Sequence, residues 1–234
     1  DGAVEWYFAP GAAISLSVYD KSISSTIQST ITRPALFSAN PFGLPDQVAV
    51  QACRGAIDCA PHLPIWQFIR PADTGSGSLR GFELAGVTPL GAPDSLLGDW
   101  RLQGAIAYTR SKVLYRMQSG EWRTIQDSLG GPRLTTNLSL AYRGRRIEAR
   151  TAINHRSRYL LAIPATNGGD ADGVNALTTV DASARFQVSD RFTVTLDGTN
   201  LTNAVQRQFT DTSEIPNYQH RVGREFRAGL RLRF

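Results

Sequence analysis

The feature that most constrains this chain is a two-residue alternation of apolar and polar side chains, held over long segments and broken by turn residues. Successive side chains of a strand point to opposite faces, so such alternation sorts residues onto the two sides of a sheet. In the final segment Phe226, Ala228, Leu230, Leu232 and Phe234 share one face and Arg227, Gly229, Arg231 and Arg233 the other. In 133–143, Leu134, Leu138, Leu140 and Tyr142 oppose Thr135, Asn137, Ser139 and Arg143. Ile147, Ala149 and Ile153 then oppose Glu148, Arg150 and Asn154, and Val180, Ala184, Phe186 and Val188 oppose Asp181, Ser183, Arg185 and Gln187. Phe192, Val194 and Leu196 oppose Thr193, Thr195 and Asp197. The pattern predicts nine strands, at 2–9, 12–26, 78–90, 99–115, 133–143, 146–160, 177–188, 191–207 and 219–234.

The connections add topology. Tight links at Ala9-Pro10-Gly11, Gly144-Arg145 and Val188-Ser189-Asp190, with a slightly longer one at 91–98, alternate with long links at 27–77, 116–132, 161–176 and 208–218. An up-and-down antiparallel sheet crossing a membrane produces this segregation, with short turns at one end and long loops at the other. Greek-key crossings of a soluble sandwich have no reason to produce it. Alternation alone also fits a half-exposed soluble sheet, but two features favour the membrane. Aromatic residues collect at the short-turn end: Trp6, Tyr7, Phe8, Trp100, Tyr142, Phe186, Phe192 and Phe234. Most predicted strands also exceed the usual length of globular ones and suffice to cross a bilayer at a tilt.

Composition narrows the partners. No apolar run is long enough for a membrane helix, whereas a barrel of alternating strands keeps a modest mean hydropathy. The net charge is +5 and the only lysines are Lys21 and Lys112. The arginines alternate along strands instead of forming a basic run, so no nucleic-acid partner is expected. Cys53 and Cys59 sit in a Pro-rich stretch with no second cysteine pair, and the histidines are only His62, His155 and His220. A metal site would need further ligands, so a small disulfide-closed loop is the better reading. No nucleophile elbow, phosphate-cradling loop or metal cluster stands out. No enzyme activity, metal or cofactor is expected, and His155 and His220 read as hydrogen-bonded structural residues. Asn200-Leu201-Thr202 and Asn137-Leu138-Ser139 match glycosylation acceptors but lie in or beside strands.

Five stretches, EWYFAPGAAISLSVYDKSI, GSLRGFELAG, PRLTTNLSLAYRGRRIEARTAINHRSRYL, VDASARFQVSDRFTVTLDGTNLTNA and GREFRAGLRLRF, resemble in order and spacing the C-terminal barrel of TonB-dependent outer-membrane receptors. The resemblance implies an all-β, antiparallel up-and-down transmembrane β-barrel segment, about nine strands of a 22-stranded, plugged barrel, with long outer loops and short periplasmic turns. Residues 1–234 would be the C-terminal part of the barrel domain, with 27–77 a long extracellular loop and the plug domain absent. The parent receptor would bind a scarce nutrient, siderophore-type or similar, at a bacterial outer membrane and import it with TonB-derived energy. Its partners would be outer-membrane lipid, the plug domain of the same parent chain, TonB (through a missing N-terminal region) and a small-molecule ligand. Phe234 resembles the aromatic terminus read by the barrel-assembly machinery.

Candidate ligand residues are His62, Trp66, Phe68, Arg70 and Asp73 of the long loop, where aromatics plus arginine suit a sugar, an aromatic chelate or an anion. Alternatively, Trp66 and Phe68 pack the loop on itself around Cys53 and Cys59. Lumen-facing Arg150, Arg185, Arg227, Arg231 and Arg233 would attract an anionic ligand or pair with plug carboxylates. An odd strand count departs from the even counts of bacterial barrels. Two further readings therefore stay open: a self-contained small pore or structural barrel, and a soluble β-rich binding module.

Overall fold

The computed structural model describes residues 1–117, 119–127, 129–165, 169–211 and 215–234. In chain order the strands are β1 (Gly2–Ala9), β2 (Ala12–Ile23), β3 (Thr26–Ile31), β4 (Ile69–Thr74), β5 (Gly77–Pro89), β6 (Trp100–Arg116), β7 (Trp122–Ile125) and β8 (Leu134–Arg143). They continue as β9 (Ile147–Arg156), β10 (Tyr159–Ala162), β11 (Asp172–Val174), β12 (Leu177–Ser189), β13 (Phe192–Thr199), β14 (Gln206–Thr210), β15 (Pro216–His220) and β16 (Glu225–Leu232). A 3-10 turn (Phe37–Ala39) and one helix, α1 (Asp46–Cys53), lie between β3 and β4. No helix is long and apolar enough to cross a membrane among the described residues.

One sheet dominates, in the order β1-β2-β5-β6-β8-β9-β12-β13-β16, with β7 pairing on β6. All its neighbours are antiparallel. These are the nine strands that the alternation predicts, joined up and down. The sheet is open: β1 and β16 are its edges. The short strands all fall in the long connections, where β3 and β4 form a two-stranded ribbon and β10-β11-β14-β15 a second sheet.

Four predicted strands run too far. β2 stops at Ile23, β9 at Arg156 and β13 at Thr199, and β16 begins only at Glu225. The alternation continues past these breaks because the chain enters another strand, now paired in a different sheet. Asn200 shows what makes such a break. It takes a left-handed φ of 51°, a conformation that asparagine tolerates better than most residues. Its amide nitrogen donates to Ala204 O and Gly223 O, its Oδ1 accepts from Ala204 N, and its backbone N–H donates to Asp181 Oδ1. One side chain thus satisfies the backbone where β13 leaves the sheet.

Register aligns the two faces across the whole sheet. The chain of partners Val4, Leu16, Leu84, Ile106 and Thr136 runs on one face, as does the neighbouring row Trp6, Ile14, Gly86, Gly104, Leu138, Ile153 and Val180. At the other edge Phe186, Val194 and Leu230 are partners. This apolar face is exposed, with Leu230 73% and Val4 69% accessible. An apolar area spanning nine strands is far larger than a water-soluble surface carries and suits a lipid-facing wall. Near the short turns it carries Trp6, Tyr142, Phe186 and Phe192, with Trp100 and Tyr142 ring centroids 5.2 Å apart. Tyr7 departs from the expected girdle: its parity places it on the polar face, where its hydroxyl donates to Glu5. Toward the long loops Phe82 stacks on Tyr108, 5.8 Å between centroids. Trp100 and Tyr108 are eight positions apart on β6, about 26 Å along the strand.

The buried core lies beyond this band, where the long connections converge. Val113, Tyr115, Met117, Leu160, Ile163 and Phe209 pack together there, drawing the outer extension of β6 onto the second sheet.

Candidate functional site

Two surfaces are candidates: a hollow among the outer loops and the polar face of the wall. The outer hollow is positioned by the β3–β4 ribbon. Gln28, buried on β3, donates through Nε2 to Arg116 O at 2.5 Å and Ile163 O at 2.8 Å, and its Oε1 accepts from Arg116 N at 3.0 Å. One amide therefore clamps the ribbon to β6 and to the loop after β10. Thr30 lies on the same ribbon face as Gln28, two residues on, and is the register partner of Arg70. Together with Thr32, Arg33, Arg116 and Pro164 they line a hollow of about 370 Å³. Among the described residues, Arg33, Arg70 and Arg116 have no carboxylate within 4 Å. Three guanidinium groups around one concavity make an anion-attracting surface with planar, bidentate donors.

The five expected loop residues divide. Phe68 is buried and Trp66 partly so in a cluster with Phe37 and Ala49. Phe37 sits 5.0 Å from Trp66 and 5.8 Å from Phe68 between ring centroids, and Trp66 Nε1 donates to Ala60 O. Of the two readings open for these aromatics, the structure supports packing of the loop on itself. Cys53, at the end of α1, is joined by a disulfide to Cys59 beside that cluster. His62 is exposed. Arg70 faces the hollow, whereas Asp73 pairs with Ile27 on the opposite side of the ribbon. Arg33 and Arg116 escaped sequence reasoning because one precedes a proline in a loop and the other ends a long strand. The ribbon's pairing and the Gln28 clamp to β6 bring Arg116 into the hollow with Arg70, and Arg33 joins them from the loop just past β3.

The polar face carries Arg150, Arg185, Arg227 and Arg231 on one side of the sheet, as the alternation predicts. Arg150, Ser183, Asp197 and Arg227 are successive register partners across four strands, and Arg231 lies opposite Thr193. Arg185 approaches Glu148 at 3.9 Å, and Arg227 reaches Glu225 at 2.7 Å. Arg101 and Arg143 join Arg150 and Arg185 around a hollow of about 500 Å³ near the short turns. A second hollow of about 310 Å³ is lined by Glu5, Ser15, Gln103, Asn137, Ser139 and Arg150. Arg233 lies past the end of β16, its N–H donating to Arg191 O, and Phe234 is fully exposed. His155 shares a 2.8 Å hydrogen bond with Thr178 Oγ1.

A wall with one lipid-facing and one polar face, long loops at one end and short turns at the other, is the architecture of an outer-membrane barrel. The family model described as TonB dependent receptor-like, β-barrel matches residues 1–201. The chain belongs to the TonB-dependent receptor β-barrel family. Solved receptors share this fold. A mutant of the ferric enterobactin receptor of Pseudomonas aeruginosa superposes with a TM-score of 0.55 at 14% identity, covering 99% of this chain and 30% of that one. The ferric-catecholate import receptor Fiu of E. coli K12, in a closed form, gives 0.51 at 10% identity, covering 98% and 34%. The chain therefore spans about a third of the length of these solved receptors. No curated protein matches it in sequence. The Arg33–Arg70–Arg116 hollow belongs to the long-loop end of this TonB-dependent receptor barrel segment.

Proposed function

We propose that this segment supplies part of the wall and ligand-collecting loops of a bacterial outer-membrane receptor that imports an anionic iron chelate of the siderophore type, using TonB-derived energy. The observation that carries the substrate class is the hollow lined by Arg33, Arg70 and Arg116, at the end where the long loops converge. Ferric catecholates, the cargo named for the solved relatives, are anionic because iron displaces the catechol protons, and a cluster of guanidinium groups suits them. Of the loop residues that the sequence singles out, Arg70 belongs to this hollow, whereas His62 and Asp73 are exposed outside its lining. Arg150, Arg185, Arg227, Arg231 and Arg233 would face a plug supplied by the rest of the parent chain, pairing with its carboxylates or drawing the chelate through. Residues 1–234 are on this reading the C-terminal part of the barrel domain, with Phe234 as the assembly signal.

The test uses the full-length receptor containing this segment. Replacing Arg33, Arg70 and Arg116 singly by glutamine should weaken binding of a ferric tricatecholate by about 1–2 kcal/mol each, about five- to thirtyfold, read by tryptophan fluorescence. Uptake of the labelled chelate should stop when a protonophore collapses the inner-membrane gradient. Unchanged affinity in the triple variant would remove the hollow as the site, and protonophore-insensitive uptake would favour a passive pore.

A further inference from the structure

Just beyond the stacked Phe82 and Tyr108, the lipid-facing side of the wall changes character. The parity that turns Leu84, Phe82, Ile106 and Tyr108 outward continues into Arg80, Arg110 and Lys112. Arg80 and Arg110 are direct register partners, and Lys112 lies opposite Ser78, one outward-facing step further along β6. Like charges set directly across a ladder destabilise it. Asp20, the partner of Arg80 on β2, relieves this in part, approaching Arg80 Nε at 3.1 Å. Among the described residues, Arg110 and Lys112 have no carboxylate within 4 Å. Both are exposed. Arg133 adds a fourth cation at the rim, with its guanidinium carbon 5.1 Å from the Tyr108 ring centroid and Nε donating to the Tyr108 hydroxyl at 3.0 Å.

The position of this cationic rung identifies its partner. An isolated surplus of charge on a loop would be met by water and salt. Here the surplus stands on the outer side of the wall, with aromatic rings and then an apolar band directly below it. That is the depth at which acyl chains end and headgroups begin. We propose that Arg80, Arg110 and Lys112 form a headgroup site for a phosphorylated lipid of the outer leaflet, its acyl chains lying on Val18, Leu84 and Ile106. Phosphate oxygens between Arg110 and Arg80 supply the anion that the register lacks, and the lipid-facing band supplies the apolar contact. The site rests on the membrane-barrel reading but is separate from the hollow for imported ligand, which is lined by other residues.

The test titrates the delipidated full-length receptor with a diphosphorylated glycolipid, counting retained lipid by native mass spectrometry. The unaltered receptor should retain it, and the Arg110→Gln/Lys112→Gln double variant should bind about 25-fold more weakly, about fivefold for each cation lost. Arg110→Lys should keep most of the affinity. Equal affinity in the double variant, or equal retention of the dephosphorylated glycolipid, would overturn the proposal. So would full displacement by inorganic phosphate, since the site would then take phosphate from water rather than from lipid. Heat-shifted gel mobility of each variant shows that its barrel has folded. Its absence in the unaltered receptor would instead count against the membrane-barrel reading.

Discussion

Gln28 illustrates how single residues decide the outer architecture. Nothing in the string TIQSTI marks that glutamine as special, yet its amide meets three backbone groups from two other segments. Its replacement by alanine leaves Arg116 N–H and the carbonyls of Arg116 and Ile163 without that partner in a buried place, at a cost of about 1–3 kcal/mol. The expected outcome in the full-length receptor is faster amide exchange at Arg116 and across β3–β4, with the membrane wall unaffected. Unchanged exchange would mean that the ribbon is held by other contacts. Gly81 is a second case. A Cβ there would collide with the Tyr19 side chain and Tyr108 O, and the space it leaves lets the Tyr19 hydroxyl reach Thr109 Oγ1 at 2.5 Å across β5.

At the scale of the strand, a residue's face matters more than its identity. Leu138 lies on the apolar face between Gly104 and Ile153, and Asn137, its neighbour in sequence, lies on the polar face between Ala105 and Asn154. Leu138→Arg should cost about 2–4 kcal/mol by placing a cation against lipid near mid-membrane. Asn137→Arg should leave folding nearly unchanged. Folding yield of the two full-length variants into vesicles, read by heat-shifted gel mobility, separates them. Equal yields would contradict the assignment of faces. The same logic explains why the nine wall strands were legible: a buried or lipid-facing side forces strict alternation, and a one-residue slip would turn every apolar group inward. The short strands of the loops escaped because no such two-sided constraint acts on them. Phe68, just before β4, does join an apolar cluster, but its companions Phe37 and Ala49 come from separate segments and share no period with it.

For the molecule as a whole, the open sheet is the governing fact. β1 and β16 each present an unpaired edge, and unpaired backbone groups cannot be left facing hydrocarbon. The 234-residue chain alone should fail to reach a heat-shifted folded form in detergent or vesicles, whereas the full receptor should. A folded, membrane-inserted isolated chain would revive the small-barrel reading. An antibody to residues 219–234 should detect, in the source outer membrane, a polypeptide several-fold heavier than 25.5 kDa. A band near that mass would likewise favour the small barrel over the receptor.

Sequence alone determined the wall: nine strands, their faces, their up-and-down order and the placing of Arg150, Arg185, Arg227 and Arg231 on the polar face. Each of these follows from a local, two-residue rule imposed by having lipid on one side and polar surroundings on the other. Tertiary structure decided what the long connections do. It turned Trp66 and Phe68 into packing, gathered Arg33, Arg70 and Arg116 around one hollow, and set Arg80 opposite Arg110 at the lipid rim. Those juxtapositions join residues far apart in the chain, so they depend on which strands pair and in what register, and no local periodicity encodes that.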